Sequence, residues 1–151
     1  MSLDKIKIQA TTKSFIEHFD PEAKIEIMEK DRGCAINIET EMSGLLIGRG
    51  GENLDALQHL LRLILVSEAG EFFPVLVDVS GYRALREKDL MAEAKTIAEK
   101  VLETGELIEL EPMSSYERRL VHLALQDIEG IETDSMGVGA ERRVVIKKST
   151  K

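Results

Sequence analysis

Ile47-Gly48-Arg49-Gly50-Gly51 is the stretch on which the reading of this chain turns. Glycine has no Cβ and reaches positive φ at little cost, so a backbone built of it can approach a bulky anion closely. Leu54, Leu57, Leu61 and Leu65 follow at spacings of three and four, the mark of a helix with one buried face. The N-terminus of that helix adds free N–H donors and the positive end of its dipole, and Arg49 adds a mobile charge. The loop is therefore a candidate for gripping a phosphate, with Ile47 and the helix stripe as an apolar wall for bases. Other glycine motifs fit badly. A dinucleotide fingerprint needs a third glycine where Asn53 stands, and a nucleotide P-loop needs a Gly-Lys-Ser/Thr ending that is missing. Taken alone, the loop fits a plain turn between two helices equally well.

Upstream of the loop, residues 8–19 carry Phe15, Ile16 and Phe19 at helical spacing, and Asp20-Pro21 ends that helix. Lys24 to Glu29 and Cys34 to Glu41 alternate apolar and polar residues around Asp31-Arg32-Gly33, which predicts a hairpin. Leu45-Leu46-Ile47 forms a short helix before the glycines. Downstream, Gly70 ends the leucine helix and Phe72 to Val79 is a compact strand. Ser80-Gly81 breaks the chain, giving domains at 1–80 and 81–151. In the second, Leu90, Ala94, Ile97 and Val101 form a helix stripe with Gly105 as its C-terminal cap. Glu106 to Glu111 is a strand, and Ser114-x-x-Glu117 is a capping box opening a helix that runs to about Gln126 and is closed by Glu129-Gly130. Gly137 to Ala140 links two further strands, the last at Arg142 to Lys148. The fold class is α+β: two small α/β sandwich modules in tandem, the first ordered helix, strand, strand, helix, helix, strand (αββααβ).

Composition sets the bounds. With 151 residues and 43% hydrophobic content the chain can bury a core. The single cysteine, Cys34, allows no disulfide within one chain and fits a reducing compartment. No signal-peptide pattern or membrane-length apolar run is present, so a cytoplasmic protein is expected. Met1-Ser2-Leu3 is given no meaning. The net charge of −8 argues against a non-specific duplex binder, so a nucleic-acid site must be a local basic patch on an acidic body.

A second candidate patch lies on the capped helix. Arg118 and His122 are four apart and share a face, with Ser115, Arg119 and Gln126 nearby, while Leu120, Leu123 and Ala124 are assigned to the core side. Arginine offers a fork of donors to phosphate, and imidazole stacks on a base or donates to an oxygen. Arg142, Arg143, Lys147 and Lys148 on the last strand extend the patch. An Arg and a His at this spacing also arise by chance on exposed helices.

The Ile-Gly-x-x-Gly pattern at 47–51, within this element order, resembles the type II KH domain over about residues 9–80. That resemblance implies that Gly48 to Gly51 contact a sugar-phosphate backbone and that about four unpaired nucleotides lie in the adjoining groove. Tyr116-Glu117-Arg118-Arg119 through His122, with Gly137-x-Gly139-x-Glu141-Arg142-Arg143-Val144-Val145-Ile146, resembles the single-stranded nucleic-acid-binding domain named for its Arg-x-x-x-His motif, over about residues 82–148. The two in this order are similar to the bacterial Jag family, also called KhpB or SpoIIIJ-associated proteins. The resemblance implies a single-stranded RNA-binding protein, an RNA chaperone or post-transcriptional regulator linked to cell elongation, cell-wall homeostasis and sporulation. It also implies a small KH-only partner, KhpA. The sequence departs from the family at two points. The family's usual extra N-terminal domain has no counterpart, and Val138 and Ala140 stand where an acidic residue and a proline are expected.

No metal or cofactor is expected, because Cys34, His18, His59 and His122 lack ligand spacing. His59 reads as a boundary residue beside the leucine stripe and His18 as a surface residue. The leucine stripes read as core rather than as partner-binding grooves. No nucleophile signature appears, so catalysis is not expected. The commitment is to single-stranded RNA, with single-stranded DNA as an alternative ligand. Ile47 to Gly51 form one grip, and Arg118, Arg119 and His122 the other, supported by Arg142, Arg143 and Lys147. Aromatics make up only 4%, so backbone contacts should outweigh stacking. The first rival is an adaptor that pairs with another KH protein or a second copy of itself. The second is a nuclease, ranked last.

Overall fold

The computed structural model describes residues 4–150, so Met1-Ser2-Leu3 lies outside the described residues. The chain forms two compact units that divide between Arg83 and Ala84. In the first, α1 (Lys5–Ile16) is followed by β1 (Lys24–Lys30), β2 (Gly33–Glu39), α2 (Ser43–Ile47), α3 (Glu52–Ala69) and β3 (Val75–Val79). The helix expected at 8–19 begins earlier because the Asp4 side chain accepts from Lys7 N, closing an N-cap. It also ends earlier, at Ile16, and Phe19 lies beyond it in the turn before β1, 43% exposed. β1 and β2 pair antiparallel from Lys24↔Glu39 to Lys30↔Gly33, the expected hairpin. β2 is the central strand and pairs parallel with β3.

The core of this unit follows the sequence periodicity. Leu54, Leu57, Leu61 and Leu65 are all buried against Ile27, Ile36, Ile38, Val75, Val77 and Val79. Each fully buried Leu or Ile contributes about 1.5–3 kcal/mol by leaving water. Gly70 caps α3 with a left-handed backbone, its N–H donating to Val66 O. The strand expected from Phe72 starts only at Val75: Pro74 N cannot join a ladder, and Phe72 is 72% exposed.

The second unit is built on α4 (Tyr82–Thr104), whose first two residues still belong to the first unit. After it come β4 (Ile108–Glu109), α5 (Ser115–Leu125), β5 (Ile131–Met136) and β6 (Arg143–Lys148). Its sheet has the order β4-β6-β5 with antiparallel pairing throughout. Leu90, Ala94, Ala98 and Val101 of α4 pack with Val121, Leu125, Val144 and Ile146, while Ile97 is partly buried at the rim. Gly105 caps α4 as expected, its N–H donating to Val101 O. The β4 strand is shorter than the six residues anticipated, because only Ile108 and Glu109 meet β6 as ladder partners. The capping box is complete: the Ser114 side chain accepts from Glu117 N, and the Glu117 carboxylate accepts from Ser114 N. One face of α5 differs from expectation. Val121 and Leu125 form the core side, Leu120 and Ala124 are half-buried, and Leu123 is 46% exposed. The helix is rotated by about one residue step, because Val121 and Leu125, four apart, share the row nearest the sheet.

Candidate nucleic-acid interface

The glycine loop joins α2 to α3 through a single 3₁₀ turn, Arg49–Gly51. Gly48, Gly50 and Gly51 all have positive φ, at 71°, 62° and 82°. Their reasons for being glycine differ. A Cβ on Gly48 would lie 2.6 Å from the Asn53 side chain, and one on Gly51 would lie 3.0 Å from the Tyr82 ring, whereas Gly50 faces open space. Gly48 and Gly51 fasten the turn, and Gly50 is the place where another molecule can reach the backbone. Asn53 Nδ2 donates to Leu45 O at 2.9 Å and pins the end of α2 to the start of α3. Gly51 N–H donates to Gly48 O. The N–H groups of Arg49 and Gly50 have no internal backbone acceptor among the described residues. Arg49 is exposed and Ile47 half-buried. Exposed donors, an exposed cation and the α3 N-terminus thus meet at one spot, the arrangement that holds a phosphate.

Beside the loop runs a feature the sequence did not reveal. β3 is an edge strand, and its Val77 N–H donates to Gln58 Oε1 at 2.9 Å. Arg83 Nε donates to Val77 O at 2.9 Å, and its Nη2 donates to Gln58 Oε1 at 3.1 Å. Two side chains therefore occupy the outward N–H and C=O of Val77, in the middle of this edge, where another strand would pair. On the other side of the loop, Phe15, Phe19, Leu45, Leu46, Ala56 and Leu60 line an apolar cleft of 220 Å³.

In the second unit the structure sorts the basic residues into two sets. Arg118 Nη1 donates to Met113 O at 2.8 Å. His122 Nδ1 lies 2.5 Å from Thr133 Oγ1. Arg142 Nε donates to Ser135 Oγ at 2.9 Å, and its Nη1 donates to Gly137 O at 3.1 Å. Met113 N–H in turn donates to Arg142 O. Arg118, His122 and Arg142 are thus brought together along α5 and the α5-facing side of β5, each held by neutral oxygens. Arg119 is exposed on the adjoining face of α5. Arg143 and Lys147 are not part of this row. They alternate with the buried Val144 and Ile146 and so project from the opposite face of the sheet. There Arg143 pairs with Glu141 and Glu109, and Lys147 with Asp134. The Asp134 carboxylate, with a smaller push from Glu132, raises the Lys147 pKa. Lys148 also serves the fold, its Nζ donating to Leu102 O at 3.5 Å. Sequence reasoning grouped all the strand cations because strand alternation, which separates Arg142 from Arg143, shows only once the register is fixed. Thr133 and Ser135 were missed; their one signal is two hydroxyls spaced i, i+2.

The remaining candidates lie apart from both patches. Cys34 is buried in the core of the first unit, which pushes its thiol pKa up. His18 and His59 are exposed, and His59 Nδ1 sits 2.9 Å from Arg62 Nη2. Among the described residues no group of three or more His, Cys, Asp or Glu is placed to hold a metal ion. No helix among them is long and apolar enough to cross a membrane.

Comparison with known proteins fits this geometry. Residues 5–75 match the family model for the KhpA/KhpB KH domain, and residues 88–148 match that for the domain named for its Arg-x-x-x-His motif. The fold and the two sites define a tandem protein, a KH domain followed by an Arg-x-x-x-His domain. RNA-binding protein KhpB of Clostridium symbiosum is 37% identical over 122 residues, which cover 81% of this chain and 55% of that protein. The protein of the same name from Bacillus subtilis strain 168 is 37% identical over 124 residues, 81% of this chain and 60% of that one. A third, from Streptococcus pneumoniae serotype 2, is 30% identical over 140 residues, 93% of this chain and 43% of that one. The chain belongs to the KhpB (Jag) family. It spans little more than half the length of the first two relatives.

Proposed function

We propose that this chain binds single-stranded RNA at two places without catalysis, through the glycine loop of residues 1–80 and the Arg118–His122–Arg142 row of residues 81–151. The observation that carries this reading is how the basic groups are held. In a chain of net charge −8, Arg118, His122 and Arg142 bond only to neutral oxygens, while Arg86, Arg143 and Lys147 are paired with carboxylates. A guanidinium bonded to a carbonyl keeps its full charge for an incoming phosphate; one paired with a carboxylate does not. The relatives' name, RNA-binding protein, points the same way. Ile47, Gly48, Arg49, Gly50 and Gly51 grip one stretch of backbone, and Arg118, Arg119 and His122 grip another. A role as RNA chaperone or post-transcriptional regulator in the bacterial cytoplasm, in cell elongation, cell-wall homeostasis or sporulation, follows as part of this reading.

The test is fluorescence anisotropy of a short labelled single-stranded RNA, with single-stranded DNA of the same sequence beside it. Gly50→Asp and Arg118→Ala/His122→Ala, each confirmed as folded by circular dichroism, are expected to lose affinity about tenfold or more. Unchanged binding by both variants would remove the site assignment.

The apolar cleft beside the glycine loop, with Leu60 46% and Leu45 53% exposed, favours a second reading: pairing with a small KH-only protein of the KhpA kind or with a second copy of this chain. That reading expects a complex that forms without RNA and survives Gly50→Asp.

A further inference from the structure

The second nucleic-acid patch rests on α5, yet two of its three basic groups are held by β5. Thr133 and Ser135 are two residues apart on one strand, so both hydroxyls leave the same face. Thr133 Oγ1 meets His122 Nδ1 at 2.5 Å, and Ser135 Oγ accepts from Arg142 Nε at 2.9 Å. Both strand residues are half-buried, and their ladder partners on β6 are the core residues Ile146 and Val144. The hydroxyls therefore stand on a paired strand, on the sheet face that carries the core. His122 Nε2 has no protein partner among the described residues, so one ring nitrogen is occupied and the other is free.

We propose that Thr133 and Ser135 are the positioning residues of the nucleic-acid site, Thr133 fixing the tautomer and ring plane of His122 and Ser135 fixing the guanidinium of Arg142. This rests on the RNA-binding reading above. In this arrangement the Thr133 hydroxyl, which meets no other acceptor among the described residues, donates to Nδ1 and so selects the tautomer protonated on Nε2. The ring proton then sits on Nε2, the outward nitrogen, where it can be given to a phosphate or base oxygen. Without that bond the ring turns freely, and the tautomer with its proton on Nδ1 presents a bare acceptor to an anion. On the Arg142 side, the bonds from Nε to Ser135 Oγ and from Nη1 to Gly137 O fix the plane of the guanidinium and leave Nη2 to meet a ligand.

Two readouts test this. The first is ¹⁵N NMR of the histidine ring nitrogens in mildly alkaline buffer, without RNA. Wild type and Thr133→Ser are expected to show a pyrrole-type Nε2 and a pyridine-type Nδ1 for His122. Thr133→Val, which keeps the shape and loses the hydroxyl, is expected to show the averaged signals of a mixed population. The second is RNA affinity in a double-mutant cycle. Thr133→Val should weaken binding about three- to tenfold in the wild type and not at all in His122→Ala, while Thr133→Ser restores it. Ser135→Ala should likewise weaken binding only while Arg142 is present. A proton on Nδ1 in the wild type, or an equal loss from Thr133→Val with and without His122, would overturn the proposal. Failure of the underlying reading looks different: His122→Ala and Arg142→Ala would then bind RNA like the wild type, and the proposal would fall with it.

Discussion

At the scale of single residues, the glycine loop divides its labour between packing and access. Gly51 has φ +82° and a Tyr82 ring atom 3.0 Å from where a Cβ would sit, so Gly51→Ala should cost about 1–2 kcal/mol of stability, read by chemical denaturation. Gly50, with φ +62° and open space around it, should accept Asp with the fold intact, because Asp tolerates the left-handed region better than most side chains. Its cost should fall on RNA binding instead, since the new carboxylate stands where a phosphate would rest. Asp20 offers a test of the hydrogen bonding at the start of the same unit. Its carboxylate accepts from Thr40 Oγ1 and from Glu22 N, and the Thr40 bond is the largest cause of its lowered pKa. A lowered folded-state value means that Asp20 adds stability at neutral pH. That stability is lost as pH falls through the folded value. Thr40→Val should move the Asp20 titration upward toward the ordinary carboxylate value, measured by NMR of the side-chain carboxyl.

At the scale of elements, strand and helix periodicity decide which basic residues lie together on the proposed site. β6 carries Arg143 and Lys147 on the face away from α5, where Glu109, Glu141 and Asp134 pair with them. Arg142, just before that strand, turns toward Ser135 on the other side. Arg142→Ala should therefore reduce RNA affinity about tenfold or more, and Arg143→Ala or Lys147→Ala by less than about twofold, in the same anisotropy assay. Equal losses from all three would mean that the strand binds RNA as a general basic surface. Much of this unit was legible in sequence. Ser114 and Glu117 announce the capping box by residue type and spacing, and Ser114→Ala should cost α5 about 1 kcal/mol. The buried stripe of α3 was equally legible, because a leucine every three or four residues has only one helical reading. What stayed hidden depends on register. Leu123 looked like core because it is leucine, yet the row through Val121 and Leu125 faces the sheet. The Thr133 and Ser135 contacts, and the bonds of Gln58 and Arg83 to the β3 edge, join residues far apart in sequence, and no local pattern announces them.

At the scale of the molecule, charge is the organising quantity. A net charge of −8 disfavours nucleic acid over a general surface, so the proposed affinity must come from a few local grips. Each phosphate held releases counterions, and for single strands the logarithm of the affinity falls with that of salt at a slope of about −0.7 per phosphate. With phosphates at the glycine loop, Arg118 and Arg142, the slope should be about −2. The measurement that tests this most directly is the anisotropy-derived affinity of the wild-type chain for a short labelled single-stranded RNA as salt is raised, repeated with Arg118→Ala/Arg142→Ala. The account predicts a slope of about −2 that becomes shallower in the double variant. Binding that ignores salt, or a slope unchanged by removing both arginines, would contradict it.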